Sequence, residues 1–176
     1  MNLANKITVF RIILVPVYLI LFMQHTTTAG YAATAVFVVA SLSDALDGYI
    51  ARSRGLVTNF GKFFDPLADK LLVCSALIAM TSLGIFPMWG TITIVARELS
   101  ITAFREVAAA SNIIIAADKM GKLKAISQMV TIICLTIPEF PSFLQFAIQP
   151  MIWFTVFITL LSGVTYVAKN INVLKD

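Results

Sequence analysis

Six long apolar segments constrain the fold of this chain more than any other feature of its sequence. They lie at residues 7–23, 30–50, 63–83, 87–111, 120–137 and 144–168. Each approaches the ~20 apolar residues that a helix needs to cross the hydrocarbon core of a bilayer. The chain is 59% hydrophobic and only 12% charged, which is about half the charged share of a soluble domain. We therefore expect an all-α membrane protein with six transmembrane helices.

The segments between these spans alternate in charge. Those after the first, third and fifth spans contain no lysine or arginine, and all 13 basic residues lie on the other side or in helices that lead to it. The positive-inside rule therefore predicts that both termini are cytoplasmic. Tyr166, near the cytoplasmic end of the last span, is expected to be an interfacial anchor. No linker or internal repeat divides the chain, so we expect residues 1–176 to form a single domain.

Four aspartates interrupt this apolar pattern. Asp44 and Asp47 lie three residues apart near the end of the second span, and Asp65 and Asp69 lie four apart at the start of the third. Helical spacing places each pair on one face, and a short connection makes the two helices neighbours. Converging carboxylates in a low dielectric must be protonated or bind cations. Hard divalent cations prefer oxygen ligands, and paired metals serve phosphoryl chemistry.

Small residues and one arginine accompany the aspartates. Gly48 follows Asp47, and Gly61 lies one turn before Asp65. Glycine is unfavourable inside a helix relative to alanine, so these positions suggest space for a ligand to approach the backbone. Arg52 lies one turn after Gly48 and is suited to binding a phosphate in the same pocket.

The whole stretch DALDGYIARSRGLVTNFGKFFDPLAD, residues 44–69, resembles the signature of the CDP-alcohol phosphotransferases. That signature is D-x2-D-G-x2-A-R-x8–9-G-x3-D-x3-D. It is matched here at Asp44, Asp47, Gly48, Ala51, Arg52, Gly61, Asp65 and Asp69. The resemblance implies the family's six-helix fold, with a catalytic domain over residues 1–176 and an active-site cavity open to the cytoplasm. It also implies an enzyme of phospholipid biosynthesis, in the inner (cytoplasmic) membrane of a bacterium.

The resemblance further implies roles for individual residues. Asp44, Asp47 and Asp65 would ligate two divalent cations, Mg²⁺ or Mn²⁺, while Asp69 would complete the second metal site and act as the general base. The CDP-lipid would be bound by Asn5, Thr8, Gly48, Arg52, Thr58 and Gly61. Membrane lipids and a second copy of the chain, in a homodimer, are the other partners that the resemblance implies, and nothing indicates a nucleic-acid partner.

The fourth span carries charges that suggest a second substrate site. Arg97 and Arg105 are eight residues apart and therefore share a helix face, and Glu98 is expected to partner and orient one of the arginines. Charges within a span usually indicate a functional site. The predicted acceptor-phosphate site comprises Arg97, Arg105, Lys119, Lys122 and Lys124. The three lysines would equally suit topology signals or contacts with anionic lipid head groups.

The acceptor is suggested by a second resemblance. Asn5, Thr8 and Arg11, the ARE of the fourth span and GKLKA before the fifth are similar to the bacterial phosphatidylglycerophosphate synthase branch of the family. That branch transfers the phosphatidyl group of CDP-diacylglycerol to sn-glycerol 3-phosphate and releases CMP. Ala125 departs from the threonine common there.

Other functions stay open at this point. Within the family, the alternatives are a cardiolipin synthase and a phosphatidylinositol-phosphate synthase. Outside it, a small cation transporter would also use converging intramembrane aspartates. A non-catalytic lipid-binding scaffold is a further alternative, and it would tolerate Asp69→Asn.

Overall fold

Six α-helices account for most of the chain that the structure describes. The computed structural model describes residues 3–54, 59–110 and 118–171, and their side chains except those of residues 3–6, 44–54, 59–66, 69 and 110. The helices are α1 (Leu3–Phe22), α2 (Thr27–Arg54), α3 (Asn59–Ser82), α4 (Met88–Ala110), α5 (Lys119–Thr136) and α6 (Ile148–Lys169). No strand occurs within the described ranges, so the predicted all-α class is confirmed.

Each predicted span coincides with one helix, but the connection between the second and third spans is shorter than predicted. The sequence pattern indicates a turn-like segment over residues 51–62. Instead, α2 continues to Arg54 and α3 begins at Asn59, so Arg52 and Gly61 are helical. Hydropathy predicts where the apolar segment ends, not where the helix ends. The helix continues beyond that point because residues such as arginine have a high helix propensity.

The last span also begins differently from the prediction. The apolar segment starts at Leu144, but a short 3₁₀ helix, Ser142–Ala147, precedes α6, which begins at Ile148. Pro150 lies in the first turn of α6. Proline has no backbone N–H, so it is tolerated in the first turn of a helix, where that group has no partner within the helix. For the same reason it cannot donate an α-helical hydrogen bond to the residues before α6.

The helices pack as two connected groups. α1 packs against α2 and α3, whereas α6 packs against α4 and α5, and α5 also contacts α2 and α3. The centre of the hydrophobic core is Tyr18, whose ring stacks on Phe22 at 5.6 Å and lies 5.5 Å from Phe37. Its hydroxyl hydrogen-bonds with the Thr136 hydroxyl at 3.1 Å. This bond connects α1 to the end of α5.

Polar side chains are buried in the interior, while large apolar side chains lie on the surface. The buried polar and charged residues include Thr8, Arg11, Glu98, Gln128, Thr131, Thr155, Thr159 and Ser162. On α6, by contrast, Phe157 is 64% exposed and Val164 is 59% exposed. Large apolar side chains therefore lie on the outer surface of α6, and the polar side chains named above lie inside.

The length and hydropathy of the helices agree with only some of the predicted spans. In the part of the chain that the structure describes, one helical stretch, Ser142–Lys169, is long and apolar enough to cross a membrane by itself. Three shorter apolar stretches occur at Ile7–Phe22, Thr27–Ser43 and Lys70–Ser82. The six helices are therefore present, and that all six span a bilayer stays a prediction.

Candidate active site

The four aspartates of the signature lie on two helices that contact each other. α2 carries Asp44 and Asp47, and α3 carries Asp65 and Asp69. The helical backbone at these positions gives each pair the spacing of one helix face, as predicted. An all-carboxylate donor set on adjoining helices fits hard divalent cations.

The side chains of several predicted site residues lie outside the described part of the structure. They are those of Asn5, Asp44, Asp47, Gly48, Arg52, Gly61, Asp65 and Asp69, and Thr58 lies outside the described residues altogether. Among the described residues, no group of three or more His, Cys, Asp or Glu side chains comes together. The roles predicted for these nine residues therefore stay predictions.

A cavity of about 440 Å³ lies where α3, α4, α5 and α6 meet. Its lining includes five cationic side chains, Lys70, Arg97, Arg105, Lys122 and Lys124, together with two acidic ones, Glu98 and Asp118. The structure thus brings together four of the five basic residues predicted to bind the acceptor phosphate. Lys119 is exposed and is not among the residues that line the cavity.

Glu98 is a buried acid that binds two of the cations lining the cavity. Its side chain is only 8% exposed, and its Oε1 accepts a hydrogen bond from Arg97 Nη1 at 3.2 Å. The same oxygen accepts a short hydrogen bond from Lys124 Nζ. The predicted pairing of Glu98 with an arginine is present, and Glu98 also binds Lys124 on α5. Two cations from different helices therefore share one carboxylate oxygen.

Arg97 is fixed from the opposite side by α6. Its Nη2 donates to the Ser162 hydroxyl at 2.7 Å. The next residue, Gly163, leaves room for the arginine stem, because a Cβ at that position would lie 2.9 Å from Arg97 Cγ. Neither Ser162 nor Gly163 was singled out from the sequence, since serine and glycine in an apolar helix usually indicate close helix packing.

Two further polar pairs hold α5 against α6 beside this ion cluster. Gln128 Nε2 donates to the Thr159 hydroxyl at 3.0 Å, and the Thr131 and Thr155 hydroxyls are 2.8 Å apart. These four side chains are buried. Because buried polar groups are costly unless paired, they determine how α5 and α6 align, and so where Lys124 lies relative to Arg97.

An ion pair at the edge of the cavity joins the start of α5 to the end of α6. Lys169 Nζ lies 3.2 Å from Asp118 Oδ2. The hydrogen bond from Lys169 holds the pKa of Asp118 below its usual range. Asp118 is thus ionised at neutral pH and offsets part of the positive charge of the cavity.

Lys70 connects the basic cavity to the aspartate helices. It lines the cavity and directly follows Asp69 on α3. In the sequence, Lys70 is one of the basic residues that predict the topology, and its position next to the predicted base is also visible there. The described part of the structure therefore places the cavity beside the end of the aspartate signature.

Two residues of the N-terminal motif are deeply buried. Thr8 is 0% exposed and Arg11 is 1% exposed, one turn apart on α1. A cation so deeply buried on a helix otherwise rich in apolar residues is typical of a functional interior. The family resemblance alone connects Arg11 with function in the sequence, and its burial is an independent structural observation.

The comparisons with known proteins agree with the signature. The family model described as CDP-alcohol phosphatidyltransferase matches residues 1–161, and the chain belongs to that family. A Bacillus subtilis (strain 168) protein is 38% identical over 99% of this chain and 97% of its own length. A Rickettsia typhi protein is 34% identical over 94% of each chain, and an Escherichia coli (strain K12) protein is 37% identical over 74% of each. All three are named CDP-diacylglycerol–glycerol-3-phosphate 3-phosphatidyltransferase.

The Glu98 cluster generates a stability prediction. Glu98→Gln removes the negative charge that Arg97 and Lys124 share, and so weakens the attraction that offsets their mutual repulsion. We expect the free energy of unfolding to fall by about 3 kcal/mol, seen as a lower thermal midpoint of the purified protein in detergent. Glu106→Gln, an exposed glutamate on the same helix, is the matched control and should change stability by less than about 0.5 kcal/mol. Equal thermal midpoints for the two variants would contradict a structural role for the cluster.

Proposed function

We propose that this protein transfers the phosphatidyl group of CDP-diacylglycerol to sn-glycerol 3-phosphate, forming phosphatidylglycerophosphate and releasing CMP. It would thereby act in phospholipid biosynthesis. The observation that carries the choice of acceptor is the cavity lined by Lys70, Arg97, Arg105, Lys122 and Lys124. Five cations against two acids favour an anionic ligand, because clefts lined by one sign of charge attract the opposite sign. The names of the three relatives support the same reaction.

The arrangement of the cations supports a phosphate in particular. Arg97 presents a planar guanidinium held by Glu98 and Ser162, and a fixed fork of donors suits phosphate oxygens. The pairing leaves less side-chain freedom to be lost when a ligand binds. A neutral or zwitterionic alcohol would gain little from so many cations, whereas glycerol 3-phosphate carries the complementary charge.

The membrane environment is part of the proposal. Large apolar side chains cover the outer surface of α6, and buried polar pairs connect the helices inside. Where lipid surrounds a protein, polar side chains pair between helices and apolar ones face outward. We infer six spans in a bacterial inner membrane, with both termini and the cavity on the cytoplasmic side, where the basic residues gather.

The aspartates are the proposed metal-binding set. Asp44, Asp47, Asp65 and Asp69 would hold two divalent cations, Mg²⁺ or Mn²⁺, since their oxygen donors lie on two contacting helices. Such metals, when bound, stabilise negative charge that develops on the phosphoryl oxygens and the leaving group. The residues for the CDP moiety remain those of the signature and of the N-terminal motif.

The protein's own residues would then perform the remaining steps. Lys124, Arg97 and Arg105 bind the acceptor phosphate and so orient the glycerol hydroxyl. Asp69 takes the proton from that hydroxyl, and the hydroxyl oxygen forms a bond to the lipid-side phosphorus of CDP-diacylglycerol. The bond from that phosphorus to the CMP oxygen breaks, and the CMP phosphate leaves near Arg52. Holding both substrates in one cavity supplies the orientation that the reaction needs.

The acceptor is tested by supplying purified protein with CDP-diacylglycerol, Mg²⁺ and one alcohol at a time. We expect CMP release with glycerol 3-phosphate, and little with phosphatidylglycerol, inositol phosphate or glycerol. Mass spectrometry of the lipid product identifies the bond that formed. Release with inositol phosphate or phosphatidylglycerol, and none with glycerol 3-phosphate, would assign the protein to another branch of the family.

The proposed base is tested by Asp69→Asn, which keeps the size of the side chain but cannot accept the proton. We expect kcat to fall by at least about 10²-fold while the thermal midpoint stays near that of the unchanged protein. Glu139→Gln, at an exposed acid between α5 and the 3₁₀ helix, should keep normal turnover. An Asp69→Asn variant with near-normal kcat would remove Asp69 from the role of base.

A further inference from the structure

Tyr166 on α6 has a buried hydroxyl for which no described residue supplies a partner. The residue is 7% exposed and lines the basic cavity together with Arg97 and Arg105. Among the described residues, its hydroxyl oxygen makes no hydrogen bond. The sequence predicted an interfacial anchor at this position, and that prediction is wrong, because the side chain faces the protein interior.

Three other buried hydroxyls of α6, by contrast, have partners within the protein. Ser162 bonds to Arg97, and Thr155 and Thr159 bond to Thr131 and Gln128. A hydroxyl taken out of water without a partner is unfavourable, and native proteins leave few such groups unexplained. The Tyr166 hydroxyl has no partner among the described residues and lies at a cavity lined by cations. Such a hydroxyl is suited to bind a ligand that enters the cavity.

The position of the Tyr166 ring is fixed by its neighbours. Its ring packs edge-on against Phe104 on α4, with centroids 6.0 Å apart. Its carbonyl oxygen accepts a hydrogen bond from Asn170 Nδ2 at 2.8 Å. Three residues on, Lys169 pairs with Asp118 and holds the end of α6 against α5. The hydroxyl is therefore held in place before any ligand enters.

We propose that Tyr166 is a specificity-determining residue whose Oη–H donates a hydrogen bond to a phosphate oxygen of the acceptor. This rests on the proposed function, since it concerns the same acceptor cavity. Phosphate oxygens only accept hydrogen bonds from their surroundings, and the tyrosine hydroxyl supplies a donor beside Arg97 and Arg105. The cations attract the phosphate, and a hydrogen bond from the tyrosine would orient it, because a hydrogen bond weakens steeply away from linearity.

The test is Tyr166→Phe, which deletes the hydroxyl and keeps the ring against Phe104. We expect the KM for glycerol 3-phosphate to rise about tenfold, as for loss of one hydrogen bond to a charged group. The KM for CDP-diacylglycerol should stay within about twofold. In calorimetric titration of the purified protein, the Kd for glycerol 3-phosphate should rise by a similar factor. An unchanged Kd and KM for glycerol 3-phosphate would overturn the proposal.

A matched control is available in Tyr18, a second buried tyrosine whose hydroxyl is already paired with Thr136. Tyr18→Phe should lower the thermal midpoint and leave the Kd for glycerol 3-phosphate unchanged. Tyr166→Phe should leave the midpoint unchanged or raise it, because it removes a buried hydroxyl that no described residue satisfies. A merely structural role for Tyr166 predicts the reverse, a lower midpoint and an unchanged Kd.

The calorimetric measurement of glycerol 3-phosphate binding distinguishes failure of this proposal from failure of the proposed function. If the unchanged protein binds glycerol 3-phosphate but releases no CMP with it, the proposed function fails while the Tyr166 comparison is still decisive. If the protein turns over glycerol 3-phosphate and Tyr166→Phe matches it in KM and Kd, only the Tyr166 proposal fails. If the unchanged protein binds no glycerol 3-phosphate at all, both fail.

Discussion

The interaction on which the cavity depends is the sharing of one Glu98 oxygen by Arg97 and Lys124. Without that buried carboxylate, two cations on different helices would repel each other in a low dielectric. With it, α4 and α5 are held together at the level where Ser162 of α6 completes the contacts of Arg97. The charged lining and the packing of the last three helices are therefore one structural unit.

The aspartate signature and the cationic cavity lie on different sets of helices. The aspartate signature belongs to α2 and α3, which α1 packs against, whereas the cationic cavity is built mainly by α4, α5 and α6. Lys70, directly after Asp69, belongs to both. Under the proposed function, the first half would hold the nucleotide-linked lipid and the second half the phosphate-bearing alcohol. The reaction would occur at the boundary between them.

Much of the fold and part of the site follow from the sequence for physical reasons. The six helices are readable because apolar segments of this length have few other structures. Their ends are less readable, as at Arg54 and Asn59, because hydropathy reports the surroundings of a helix and not its hydrogen bonds. The convergence of Arg97, Arg105, Lys122 and Lys124 was predictable from helix periodicity and charge. Tyr166 and Ser162 were not, since their roles depend on which face of α6 meets α4, and nearly every residue of α6 is compatible with lipid.

Under the proposed function, an aspartate site on α2 and α3 and a phosphate site on α4, α5 and α6 form one active site. The most direct measurement is a crystal structure with Mn²⁺ and glycerol 3-phosphate, with anomalous scattering used to locate the manganese. We expect anomalous peaks among Asp44, Asp47, Asp65 and Asp69. We also expect phosphate density between Arg97 and Lys124, in a space continuous with the manganese site. Phosphate bound elsewhere, or manganese away from these aspartates, would contradict it.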